Sequence, residues 1–233
     1  MDIRKLIVPT LFTALAASLL VGLGVWQLQR LQWKRDLIAQ IDTRAQAKPI
    51  SISTALDQQG RGVDIGHFRV RFEGRFLHDR ERHLYSLAGG RAGWRVLTPV
   101  KPQQGPIVFV DRGFVPHQLK DAAARDSGQL QGPQRLVGRI RLPAAQGAFA
   151  PANDPQKNEW YWRDIGAMAA DLNLETDALV PWIVDLEATP IPGNWPRAGV
   201  IQVKQSNRHL GYAITWFSLA VILLVIYALF IRK

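Results

Sequence analysis

Of the five histidines in the chain, His209 has the setting in which chemistry could be done. It lies in the run Asn207-Arg208-His209-Leu210-Gly211-Tyr212-Ala213-Ile214-Thr215-Trp216, and on a helix Tyr212 at i+3 and Trp216 at i+7 share its face. An imidazole above two aromatic rings, with Arg208 beside it, has the parts that a haem uses. These are a nitrogen for the iron, ring faces for the porphyrin and a cation for the propionates, with the apolar macrocycle in lipid. The same residues also make an interfacial histidine with membrane-belt aromatics, and on pattern alone that plainer reading is the simpler one.

Little else in the sequence competes. His78 and His83, with Asp79 and Glu81 between them, have an i, i+5 spacing that matches no standard metal site, so they read as solvated loop residues. There is no G-x-S-x-G elbow, H-E-x-x-H, P-loop or G-x-G-x-x-G, and no acid–base pair stands out, so an enzyme is not expected. With no cysteine, thiolate nucleophiles, Cys-ligated zinc and iron–sulfur clusters are excluded, and two methionines make a poor copper(I) chaperone.

The elements that must position these residues begin with two apolar runs. Leu6 to Leu28 is 23 residues without a charged side chain, and Leu210 to Ile231 is 22 residues ending at Arg232-Lys233. About 20 apolar residues cross a bilayer, so each is expected to be a transmembrane helix. Cleavage of the first run as a signal peptide after Ala14-Leu15-Ala16 would leave Ser18-Leu19-Leu20-Val21 at a mature N-terminus, which favours an anchor. Two spans put both termini on one side. Arg4, Lys5, Arg232 and Lys233 suit the cytoplasm, against Arg30, Lys34, Arg35, Lys204 and Arg208 at the opposite ends, and long loops cross largely regardless of charge. Past the first span, Trp26, Arg30, Trp33 and Leu37 keep helical spacing on one face, as interfacial anchors do.

Residues 29–209 hold 25 Lys and Arg against 18 Asp and Glu, a net +7 suited to anionic lipid or an acidic protein surface. The basic residues are dispersed and no recognition motif is present, so nucleic acid is not an expected partner. From Phe68 the hydrophobic period is two, through Val70 and Phe72, with a bulge expected at Gly74. Further strands are predicted at 83–87, 94–97, 107–110, 136–142 and 182–185, between Gly and Pro signals. Short helices are predicted over Gln118 to Arg125 and over Asp164 to Leu172, the second capped by Asp164. Residues 144–158 read as an irregular loop and 189–196 as a Pro-rich connector. The expected fold class is α+β: transmembrane helices at 6–28 and 210–231 flanking a β-rich antiparallel extramembrane domain, 29–209, with a few short helices.

Several blocks, in order, resemble the surfeit-locus family of cytochrome c oxidase assembly proteins. They are Gly24-Val25-Trp26-Gln27-Leu28-Gln29-Arg30-Leu31-Gln32-Trp33-Lys34, Gly74-Arg75-Phe76, Gly93-Trp94-Arg95-Val96-Leu97-Thr98-Pro99, Val110-Asp111-Arg112-Gly113-Phe114-Val115-Pro116 and Asn207 through Trp216. Phe114 and Asp111 depart from the family's usual Trp and Asn. The resemblance implies an assembly factor of the inner membrane with a periplasmic central domain, which assists insertion of haem a into oxidase subunit I beside other assembly factors. It implies His209 as the iron ligand, with Tyr212, Trp216, Trp26 and Trp33 packing on the porphyrin and Arg208 and Arg30 at the propionates. The alternative is a membrane-tethered scaffold that stabilises an oxidase intermediate without haem, with Arg112-Gly113 and Trp94-Arg95 as its contact surface.

Overall fold

The computed structural model describes residues 3–175, 178–199 and 208–232. Lys204, Asn207 and Lys233 lie outside the described residues. The chain divides into two compact units: 1–42 with 203–233, and 43–202.

The first unit is built from two helices. Helix α1 runs Ile3–Gln46, so the apolar run is its first part and the helix continues well beyond Leu28. Helix α4, His209–Ile231, starts one residue before the predicted span. Both are long and apolar enough to cross a membrane. They pack antiparallel, because Gln27 contacts His209 at one end and Thr10 contacts Tyr227 at the other. Covered positions on α4 fall at 209, 213, 216, 220, 223 and 227, the four-three alternation of a left-handed helix pair, with Phe217 also covered beside them. Small residues carry the contact: Ala213 and Ala220 on α4, Thr13, Ala17 and Gly24 on α1. A Cβ on Gly24 would sit 2.6 Å from the Phe217 ring, so any larger residue there must displace that ring. The remaining faces are apolar and exposed, as lipid-facing surfaces are.

The second unit is a seven-stranded sheet. Its strands are β1 Ile50–Ser51, β2 Arg69–Phe76, β3 Arg82–Ala88, β4 Arg91–Pro102, β5 Ile107–Pro116, β6 Gln134–Arg141 and β7 Leu179–Leu186. They are ordered β1-β2-β6-β7-β5-β4-β3. Because β2 also pairs with β4, strands β2, β6, β7, β5 and β4 form a closed ring. Valines and isoleucines from alternate positions fill the ring: Val70, Val100, Val108, Val110, Ile140, Val180 and Val184 are all essentially excluded from solvent. Helix α2, Ile52–Gly60, is capped by Ser51 and adds Ile52 and Ala55 to this core. Inside, Trp182 donates its indole N–H to Gln59 at 3.1 Å. A second cluster, Leu84, Leu97, Phe109, Trp160 and Ile183, receives Ile165, Met168 and Ala169 of helix α3, Ile165–Asp171. Asp164 caps α3 through Ala167 N–H at 2.9 Å, as its sequence predicts.

Three expectations are corrected. The sheet is mixed rather than antiparallel, since β5 pairs parallel with β7 and β1 with β2. Alternation of side chains reports which face is buried but not which way a strand runs; that is set by the long connection from 142 through α3. Gly74 is not a bulge but the residue where β2 passes from β6 to β4, pairing with both Gln134 and Pro102. The side chain of Val100 would lie 2.6 Å from a Cβ there. The described bulges lie in β4 between Arg95 and Leu97 and in the pairing of β5 with β7. Residues 118–125 form 3₁₀ turns, His117–Leu119 and part of Ala122–Gly128, in place of an α-helix.

Candidate functional site

His209 is half-buried at the first turn of α4, where Arg208 is the cap residue. Its Nδ1 lies 2.8 Å from Oε1 of Gln27 on α1. An amide oxygen accepts only, so the Nδ1–H donates and the lone pair of the neutral ring resides on Nε2. The ring is thus a polar point at one end of the helix pair. The Thr10–Tyr227 contact, 2.5 Å between hydroxyls, closes the other end. Gln27 is seventeen helical steps from Thr10, about 25 Å, close to the depth of a hydrocarbon core.

The helix spacing brings Trp216, half-buried, onto the same face as His209, while Tyr212 sits on the flank of that face and is 54% exposed. The α1 residues behave differently. Positions 13, 17, 20, 24, 27 and 31 of α1 carry its covered stripe, and Trp26, Arg30 and Trp33 fall on the opposite side, with both indoles about half exposed. There the Arg30 guanidinium stacks over the Trp33 ring at 3.9 Å. The helices therefore meet, but the structure puts His209 in contact with Gln27 and on the same covered face as Trp216, away from Trp26, Arg30 and Trp33. Gln27 was not singled out from the sequence. Its signal is a polar residue in step with Ala17, Gly24 and Leu31 on an otherwise apolar face.

The second unit holds a buried polar network that the sequence did not reveal. His83 on β3 is 7% exposed and its Nε2 lies 3.1 Å from Oε1 of Glu81, itself 6% exposed. Arg125 pairs with both carboxylate oxygens, and Arg112 Nη1 is 4.0 Å from Oε2. Arg112 also donates to Gln129 at 2.9 Å and reaches His78 Nδ1 at 3.2 Å, while His78 Nε2 meets the carbonyl of Leu130 at 2.9 Å. His78 and His83 are thus corrected from solvated loop residues to parts of a folded network. Burial alone would raise the Glu81 pKa, but hydrogen bonds from His83 and Arg125 outweigh it and hold the carboxyl below its ordinary value. Burial lowers the Arg112 pKa to about 10, with the Glu81 charge opposing it. His78 is held below its ordinary value chiefly by burial.

Two of the sequence blocks pair with each other here. Gly93 to Arg95 lie opposite Pro116 to Phe114 across β4 and β5, and Arg95 bridges to the fully buried Asp111, which also accepts from Gly113 N–H at 3.0 Å. Arg163 lies 3.6 Å from the same carboxylate. Gly113 lies inside β5 at φ +114°, backed by the carbonyl of Arg197. Arg112 and Trp94 are buried and the Arg95 side chain is only 11% exposed, so these blocks are interior and supply no contact surface.

The fold and site define a protein whose small closed β-sheet domain lies in sequence between two paired helices, each long and apolar enough to cross a membrane, with a histidine at the head of the second. The model of the SURF1 family matches residues 14–221, and the chain belongs to that family. A SURF1-like protein of Monosiga brevicollis is 34% identical over 229 residues, covering 91% of this chain and 83% of its own. Surfeit locus protein 1 of Homo sapiens is 32% identical over 217 residues, 85% of this chain and 69% of the relative. The Takifugu rubripes protein of that name is 29% identical over 241 residues, 95% and 97% respectively. Membership is consistent with a part in oxidase assembly.

Proposed function

We propose that this chain is an assembly factor of cytochrome c oxidase that binds haem a through His209 and presents it for insertion into subunit I, working with other assembly factors. The observation that carries the reading is the half-buried imidazole with Nδ1 occupied by Gln27 and Nε2 left as the ligating nitrogen. One strong protein ligand suits a carrier, which must hold its cargo yet release it. Trp216 and Tyr212 offer ring faces further along the same side of α4, and Arg208 a cation for a propionate. Trp26, Arg30 and Trp33, turned to the other side of α1, are better placed to meet lipid or a neighbouring helix of the oxidase. In this reading the helices anchor the chain in the inner membrane with cytoplasmic termini, the domain is periplasmic, and no substrate is turned over. The same exposed Trp–Arg–Trp face favours the second reading, a scaffold that steadies an oxidase intermediate without haem.

The test is a visible spectrum of the detergent-purified chain from cells that make haem a, beside His209→Ala. A stoichiometric, red-shifted haem a band that the variant loses is expected. No pigment in either protein, with oxidase assembly still impaired in a deletion strain, overturns the carrier and leaves the scaffold.

A further inference from the structure

We infer that Gln27 is the positioning residue of the iron-ligating histidine, selecting the tautomer that can bind a metal; this rests on the reading of His209 as ligand. A neutral imidazole has one proton and one lone pair, and the nitrogen that carries the proton cannot ligate. Which nitrogen that is depends on the hydrogen bond the other makes. The Gln27 Oε1 stands 2.8 Å from Nδ1 and accepts its proton, which places the lone pair on Nε2, the ring nitrogen farther from the α4 backbone. The contact also fixes the ring plane, because Gln27 is held in the covered stripe of α1, one helical turn from Gly24 and the Phe217 ring.

The pairing of the helices does not itself call for this glutamine. Gly24 against Phe217, the Ala213 and Ala220 contacts and the Thr10–Tyr227 hydrogen bond already join α1 to α4. An amide on that apolar face is unfavourable in lipid unless bonded, and its oxygen is bonded to the histidine read above as the iron ligand.

The experiment uses the full chain in detergent with ¹⁵N-labelled histidine, the His209 signals being identified by their loss in His209→Ala. In the haem-free parent, Nδ1 is expected to be protonated and Nε2 to show the shift of a lone-pair nitrogen. Gln27→Leu is expected to move His209 toward the opposite tautomer and to weaken haem a binding by about 10–100-fold, the usual effect of removing such a partner. Gln27→Glu, a stronger acceptor, is expected to keep the parent tautomer and to lower the reduction potential of the bound haem. Thr10→Val, which removes the hydrogen bond to Tyr227 at the far end of the pair, is expected to leave the His209 signals and the haem affinity unchanged. An Nε2-protonated parent, or a Gln27→Leu protein with parent tautomer and parent affinity, overturns the positioning role. A parent with the expected tautomer that takes up no haem overturns the carrier reading, and the positioning role with it, while the Gln27 contact itself stands.

Discussion

Glu81→Gln should be strongly damaging to the β-sheet unit. The carboxylate is 6% exposed and is the shared counter-ion of Arg125, whose side chain is 1% exposed, and of Arg112, 4% exposed. Glutamine keeps the shape and one acceptor, but it removes the charge and turns an N–H donor toward two guanidinium groups. Breaking one partner of a buried pair costs about 3–5 kcal/mol, because the other charge is left uncompensated out of water. Two arginines depend on Glu81, so a value of about 4 kcal/mol is expected. In a chain of this size about 1 kcal/mol moves the thermal midpoint by about 2–4 °C, which puts the loss at about 8–16 °C. The assay is thermal unfolding of the full chain in detergent followed by near-ultraviolet circular dichroism, with Trp94 as a local reporter because its ring lies 6.4 Å from that of His83. Asp57→Asn, at an exposed pair with Arg61, serves as the control and should leave the midpoint in place. A Glu81→Gln midpoint within about 2 °C of the parent would refute the reasoning, since a network worth so little would not be organising the domain.

The remaining expectations concern acid and glycine. Both His78 and Glu81 have folded pKa values below their ordinary ones, so the unfolded chain binds more protons, and stability rises with pH and is lost on acidification. The His78 contribution is whole above about 6.5 and declines below it, and that of Glu81 declines below about 4.5; a pH series of unfolding midpoints should show the second loss disappear in Glu81→Gln. Gly113→Ala must place a Cβ against the Arg197 backbone at φ +114°, and a loss of about 2–4 kcal/mol is expected in the same unfolding assay. Gly24→Val would press on the Phe217 ring, and overpacking of about 1–3 kcal/mol should loosen the helix pair. That is read as reduced cross-linking between cysteines introduced by Thr10→Cys and Tyr227→Cys.

What the sequence made legible follows from where its signals are one-dimensional. Uninterrupted hydrophobicity marked both long helices, alternation marked the strands of the sheet, and Asp164 marked the start of α3. Ring closure was not legible, because it depends on β2 changing partners at Gly74, and the strand pattern is the same whichever neighbour accepts it. The Glu81 network was hidden for a related reason. Glu81, Arg112 and Arg125 are far apart in the chain and each looks like an ordinary surface charge until three segments fold over them. At the candidate site, His209 and Trp216 were visible from helical spacing within one segment. Gln27 was not, since its meaning depends on which face of α1 meets α4.

The sequence blocks that carry the family resemblance divide into two kinds once the structure is in hand. Those in β4 and β5 are accounted for by packing: Gly93 admits Phe114, Arg95 neutralises Asp111, Arg112 joins the Glu81 network and Gly113 adopts a backbone angle that other residues rarely take. Changing them should lower stability first and function only as a consequence. The membrane-end blocks have no such account. Helix pairing requires Gly24, yet it leaves Trp26, Trp33 and Tyr212 about half exposed and puts a glutamine and a histidine in hydrogen-bond contact at the edge of an apolar interface. Residues that are unfavourable where they stand, and that packing does not need, are where a binding role belongs. Substitutions at His209, Gln27 and Trp216 should therefore alter assembly of the oxidase without moving the unfolding midpoint of the β-sheet unit. Substitutions in the Glu81 network should move that midpoint. Equal midpoint shifts from both sets would erase the division and with it the case for a site at the head of α4.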